Sequence, residues 1–201
     1  MFAPLKLDWI GKTVFLIGGG PSLTGFDFET LRGKGIIVAI NDAVRFIPFA
    51  DVAFTIDTVW IDKRVAVLEG FAGEIVAAVP ANYQCPIARA RLLRRRNAVK
   101  MSIRGDSLST GGNSGFAALA MALMRGAVRV YLLGYDMSGA GHFHGGYRWR
   151  SRFGAQHYPI WAERFHSLAA LAQLTGAEVI NCNRGSAIKA FPFANIEESI
   201  S

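Results

Sequence analysis

The chain of 201 residues is 51% hydrophobic and 18% charged, which excludes a disordered or low-complexity polymer and gives one domain, residues 1–201, a sizeable core. No apolar run approaches the roughly 18 residues of a bilayer span, the N-terminus has no signal-peptide core, and Cys85 and Cys182 form no metal or redox spacing; the expectation is a cytoplasmic protein. A net charge of +7 leaves nucleic acid or an anionic small molecule as ligand.

The first predicted strand, Thr13–Ile17, is apolar without alternation, as in a strand buried on both faces. It runs into Gly18, Gly19, Gly20, Pro21 and Ser22. Removing every Cβ at the carboxyl end of a strand lets a ligand approach the backbone. Pro21 suits the first position of a helical turn, and Ser22 offers a hydroxyl beside free amides. Ligands of open α/β sheets bind at such strand ends, so the turn reads as a phosphate or nucleotide site, with a bare tight turn as the alternative. It is neither a GxGxxG fingerprint nor a Walker loop.

The second strand, Ile36–Ile40, ends in Asn41, and the third, Val52–Ile56, ends in Asp57. A helix over Thr58–Leu68, a strand over Ile75–Val79 and a helix over Pro86–Arg95 follow. Arg89, Arg91, Arg94, Arg95, Arg96, Lys100 and Arg104 make the stretch 89–104 basic. It reads as a solvated helix face. It lacks the interleaved aromatics of a single-strand platform, and an anionic substrate would use the same field.

Thr110, Gly111, Gly112 and Asn113 form a second glycine-rich loop before a helix over Ser114–Arg125. That helix is apolar nearly all round and rich in alanine, so it belongs against the sheet. Asn113 is a good N-cap, and the free amides and dipole behind it could hold an anion. A strand over Val128–Leu133 then delivers Asp136 to its tip, either beside the nucleotide or as a cap of the loop.

Residues 137–158 have neither helical nor strand period and read as a lid over an anionic ligand. They hold glycines, aromatics, Arg148, Arg150 and Arg152, and His142, His144 and His157. His142 and His144, two apart, share a face when extended. With Asp136 they could bind a metal, or they serve as hydrogen-bonding or structural residues; no DxD signature occurs. His157 has the unperturbed pKa to take a proton near neutrality, and His166 falls within a helix over Pro159–Thr175 as a packing or surface residue. A last strand spans Glu178–Asn181. The alternation predicts an α/β fold: a single Rossmann-like domain, its sheet mainly parallel with helices on both faces, plus the lid.

Four motifs occur in a specific order: G-x-G-P-S-L after the first strand, AIND after the second, FTIDTVW after the third, and an N-S-G turn before YLLGYD. The combination resembles the bacterial lipooligosaccharide sialyltransferases and the related glycosyltransferase-like group that includes hydroxymethylpterin pyrophosphokinase-like proteins, in a short phage-encoded form. The resemblance runs from Val14 to about Ser186. It implies that Gly18, Gly20, Ser22 and Asn41 hold the nucleotide of a CMP-activated sugar, with Gly19 standing where the family has Asn. Asp57 falls where the family has a second Asn near the donor phosphates, and a carboxylate there needs a metal or an arginine beside it. Asn113, Ser114 and Gly115 would meet the ribose or base, His157 would be the general base, and Tyr147 or Tyr158 would bind donor phosphate. Arg148 and Arg150 would stabilise the departing phosphate.

The implied function is a nucleotide-dependent, glycosyltransferase-like transferase moving a sugar from a nucleotide-activated donor to an acceptor hydroxyl, without a required metal. One alternative is a pyrophosphokinase-like enzyme using ATP and Mg²⁺ with Asp57 and Asp136 on the metal side. Another is a non-catalytic nucleotide-binding or phage assembly protein.

Overall fold

The computed structural model describes residues 2–100, 105–145 and 154–200. Eight strands form one all-parallel sheet: β1 (Thr13–Ile17), β2 (Ile36–Ile40), β3 (Val52–Thr55), β4 (Glu74–Val79), β5 (Arg91–Arg96), β6 (Ser107–Ser109), β7 (Arg129–Leu133) and β8 (Glu178–Asn181). Their order is β6-β5-β4-β3-β2-β1-β7-β8. The chain therefore builds outward from β1 to one edge, then returns to lay β7 on the other side of β1. The sheet changes direction at the β1–β7 seam.

Burial on both faces explains the non-alternating strands. Val14, Leu16, Val38, Ile40, Val52 and Phe54 face one core, together with α3 (Ser114–Met124) and α5 (His166–Thr175). Phe15, Ile17, Ile37, Ala39 and Ala53 face the other, together with α1 (Thr58–Lys63), α2 (Val65–Glu69) and α6 (Ile196–Ile200). At the seam, Phe15 sits opposite Tyr131, their rings stacked at 5.3 Å. Every residue of α3 from Phe116 to Leu123 is buried, and its alanines let it lie close across β1, β2 and β3.

The basic stretch departs from expectation. Arg91–Arg96 is strand β5, not the end of a helix. Pairing with β4 and β6 outweighs the helix preference of Leu and Arg. Leu93 is fully buried, while Arg91 pairs with Glu74 at 2.7 Å and Arg94 lies 4.6 Å over the Phe2 ring. Arg89 donates to the carbonyls of Leu68, Phe71 and Gly73. The stretch is solvated as expected, with Arg89, Arg94, Arg96 and Lys100 exposed, but it is strand rather than helix and several of its arginines also make contacts within the chain.

Two predicted helices are each divided. Thr58–Leu68 breaks at Arg64 into α1 and α2, and Pro159–Thr175 starts earlier and breaks at Phe165 into α4 (His157–Arg164) and α5. No helix among the described residues is long and apolar enough to cross a membrane.

Candidate functional site

Past Ile17 the chain stays in register with β7 through backbone alone. Gly18 N donates to Leu133 O and Gly20 N to Gly134 O, each at 2.8 Å. A Cβ on Gly18 would stand 2.6 Å from Gly134 O; one on Gly20 would meet the same oxygen and overlap the Asp136 carboxylate. These two glycines are required by the approach of β7. Pro21 opens a short 3₁₀ turn, and Ser22 donates from its amide (3.0 Å) and its hydroxyl (2.7 Å) to the Asp136 carboxylate. Asp136, mostly buried, therefore caps the glycine turn. The loop after β8 fixes it in turn, since Ser186 Oγ donates to Tyr135 O and Ala187 N to Asp136 O.

Gly19 faces a different neighbour. The point where its Cβ would stand is 2.8 Å from His142 Nδ1, and its carbonyl accepts from Phe143 N at 3.0 Å. The His142 and His144 rings stack at 4.9 Å and 11°, while Phe143 packs against Phe28 and Phe46. Burial pushes both imidazoles below the usual histidine range; a backbone hydrogen bond at Gly19 and the charge of Asp42 offset this in part at His142.

Asn41 and Met137 are the non-glycine residues with positive φ among those described, at 53° and 50°. Both line the cleft, Asn41 directly after β2 and Met137 four residues beyond β7. Asn41 Oδ1 accepts from Thr55 Oγ1 at 2.7 Å, and its amide reaches Ser114 Oγ at 3.4 Å. Behind it, fully buried Asp42 accepts from Trp60 Nε1 and from Arg64 Nε, both at 2.8 Å, and from Arg64 Nη2 at 3.0 Å. Burial pushes this carboxyl up, but the Arg64 and Trp60 hydrogen bonds and the Arg64 and Arg45 charges outweigh it and hold it below the ordinary range.

Asn113 caps α3, its Oδ1 accepting from Phe116 N at 3.1 Å. Gly115 lies against Tyr135, whose hydroxyl donates to Gly115 O at 3.1 Å; a Cβ there would come within 2.9 Å of the ring. Burial pushes the Tyr135 phenol well up, so it stays a neutral donor.

These pieces enclose a cleft of about 720 Å³, including its open mouth, at the carboxyl end of the β1–β7 seam. Gly18, Gly19, Gly20, Asn41, Asn113, Ser114, Gly115, Asp136 and Tyr158 all line it. Ser22 does not; it hydrogen-bonds Asp136, which does. Asp57 is likewise outside the lining, its carboxylate capping α1 by accepting from Trp60 N at 3.2 Å. His157 also stands outside it, at the start of α4 beside Tyr158, with Nδ1 3.2 Å from Gly154 O and its ring tilted against Trp161. His166 is on the surface, 3.7 Å from Glu163. Tyr147, Arg148 and Arg150, and Arg152 with them, lie outside the described residues. Among the described residues no three His, Cys, Asp or Glu side chains group to hold a metal.

The structure adds wall residues to which the sequence assigned no role, Tyr135, Met137 and Trp161, and it places His142 of the histidine pair among them. Trp161 follows Tyr158 by three positions, a spacing that puts both on one helix face. Arg164 ties the same helix to the second glycine loop by donating to Gly111 O at 2.6 Å.

No family model matches the chain, and no curated protein matches it in sequence. Among solved structures it is similar to the sialyltransferase CstII from Campylobacter jejuni, in complex with a substrate analogue, cytidine-5′-monophosphate. The TM-score is 0.54 over 92% of this chain and 85% of that one, at 14% identity. The two chains share an overall α/β fold. At that identity the likeness is one of fold, and the residues of the cleft must be judged on their own geometry.

Proposed function

We propose that this protein is a nucleotide-dependent, glycosyltransferase-like enzyme that moves a sugar from a CMP-linked donor to an acceptor hydroxyl. The observation that carries the reading is the convergence of the Gly18–Gly20 turn, Asn41 and the Asn113–Gly115 start of α3 on one cleft at the sheet's switch point. Open α/β sheets bind nucleotides there. The amino end of α3 offers a dipole and unsatisfied amides to the donor phosphate. Trp161 stands beside the loop that leads into α3, and with Tyr158 it offers rings to the cleft. The fold shared with a sialyltransferase bound to cytidine monophosphate supports the same choice.

Chemistry on this arrangement is a direct displacement. The acceptor oxygen attacks the anomeric carbon, and the bond from that carbon to the phosphate oxygen breaks. The electron pair leaves with the nucleotide, and the acceptor proton goes to a base, for which His157, beside Tyr158 at the start of α4 and just outside the lining, is the candidate. Asp57 and Asp136 both cap backbone turns, which favours this reading over one that places them on a metal.

A thermal-shift screen of CMP, UMP, GDP and ATP, each with and without Mg²⁺, tests the assignment. CMP at a hundred times its Kd adds about 2.7 kcal/mol to the native state. For a chain of this size that raises Tm by roughly 5–10 °C, and Mg²⁺ makes no difference. A shift confined to ATP with Mg²⁺ replaces this reading with the pyrophosphokinase-like one. CMP binding with no consumption of a CMP-linked sugar makes the protein a binding module.

A further inference from the structure

We propose that His142 is a phosphate ligand of the cleft, supplying from the 140–144 loop the side chain that position 19 lacks and taking up a proton when the anion enters. The inference rests on the nucleotide reading of the cleft and goes beyond it by assigning a residue and a coupled proton.

Three features of the geometry lead here. The imidazole lines the cleft, and it fills the space in front of Gly19, 2.8 Å from where a Cβ would be. Any side chain at 19 would displace it. The loop is also anchored rather than draped, by the Phe143 N to Gly19 O hydrogen bond and by Phe143 between Phe28 and Phe46. The ring is therefore set beside the same glycine turn that forms the floor.

The groups facing it are the Gly19 backbone from the end of β1, His144 stacked on its own loop, and Asp42 and Arg45 from the segment after β2. Asp136 and Tyr158 share the cleft. In the empty site burial holds the imidazole below the usual histidine range, so it is neutral near pH 7. A phosphate oxygen within hydrogen-bond reach favours the imidazolium. Binding then takes up a proton between the two pKa values. Affinity rises as pH falls through the bound pKa and levels off below the free one.

The probes are cytidine 5′-monophosphate methyl ester, a phosphodiester that does not titrate between pH 5 and 9, and cytidine. Calorimetry from pH 5.5 to 8.5, in two buffers of different ionisation enthalpy, reads both affinity and proton uptake. The parent should bind the ester about tenfold more tightly for each pH unit descended between the two pKa values, with proton uptake, while cytidine shows neither. His142→Gln should abolish the slope and the uptake, and His144→Gln should keep both. An ester slope that survives His142→Gln, or that vanishes only with His144→Gln, overturns the proposal and leaves the nucleotide site standing. Failure of both probes to bind the parent at any pH overturns the nucleotide reading and this inference with it.

Discussion

Gly19 and Gly20 are neighbours with opposite obligations. A Cβ on Gly20 runs into the Asp136 carboxylate and the Gly134 carbonyl, whereas one on Gly19 meets the end of the His142 side chain, which can turn aside. Gly20→Ala should therefore lower stability by about 1–3 kcal/mol through overpacking, and Gly19→Ala by clearly less. Urea midpoints of the two variants measure the difference, and the reverse order would show that the turn is not clamped by β7. His157 raises the complementary question of chemistry without structure. It sits at the start of α4, held through Nδ1 at Gly154 O and by its ring at Trp161. General-base help is worth about 10²–10⁴ in rate, so His157→Ala should lower transfer from a CMP-linked sugar by that factor and leave CMP affinity nearly intact. Loss of affinity alone would make it a binding residue, and full activity would end its candidacy.

At the scale of the element, the segment after β2 is held by one buried carboxylate. Asp42 ties the turn that carries Asn41 to α1 through Trp60 and to the α1–α2 junction through Arg64. Arg64→Met leaves that charge short of its main partner, which costs about 3 kcal/mol when a buried pair is broken. The pH profile separates this from a packing defect. In the parent the folded pKa lies below the ordinary 3.8, so the contribution is present above 3.8 and is lost as pH falls through the depressed value. In Arg64→Met burial is less opposed and the carboxyl moves up, so the acid-side loss of stability shrinks: the cost of the substitution is largest near neutral pH and narrows as pH falls. Urea unfolding between pH 3 and 7, followed by tryptophan fluorescence, reads the shift. Parallel profiles would mean that Arg64 does not set the charge of Asp42. The same contact explains a limit of sequence reading. Apolar runs place β1, β2 and β8 to the residue, because double-sided burial leaves a plain hydrophobic signature. The break at Arg64 depends on a carboxylate 22 positions away, and no local pattern carries that. β5 is obscured for a related reason: its arginines find partners on β4, Phe2 and the backbone.

For the whole molecule, the strand order decides what meets what. β1 and β7 are neighbours although more than half the chain separates them, so the cleft joins an early glycine turn to a late acidic tip. The motifs GGGPS, AIND, NSG and GYD were each visible in the sequence, and the parallel alternation of strands and helices told which ends they occupy. Their partners were not visible. That Gly18 and Gly20 approach Gly134, that Asp136 holds Ser22, and that Gly19 makes way for His142 are facts of the β1–β7 seam. Asp57 shows the converse: its motif position suggested a ligand, and its place at the start of α1 makes it a cap.

The glycine floor of the cleft is mostly a backbone surface. Its shape is set by the main chain of β1 and β7, so on the nucleotide reading proposed above it suits any phosphate and has little with which to tell one base or sugar from another. On that reading discrimination falls to the rim, where Asn113, Tyr158 and Trp161 project from a loop and a helix rather than from the sheet. Accommodation and choice are thereby assigned to different parts of the chain. If the cleft takes a nucleotide donor as proposed, the donor can be exchanged by rewriting the rim while every hydrogen bond of the floor stays in place.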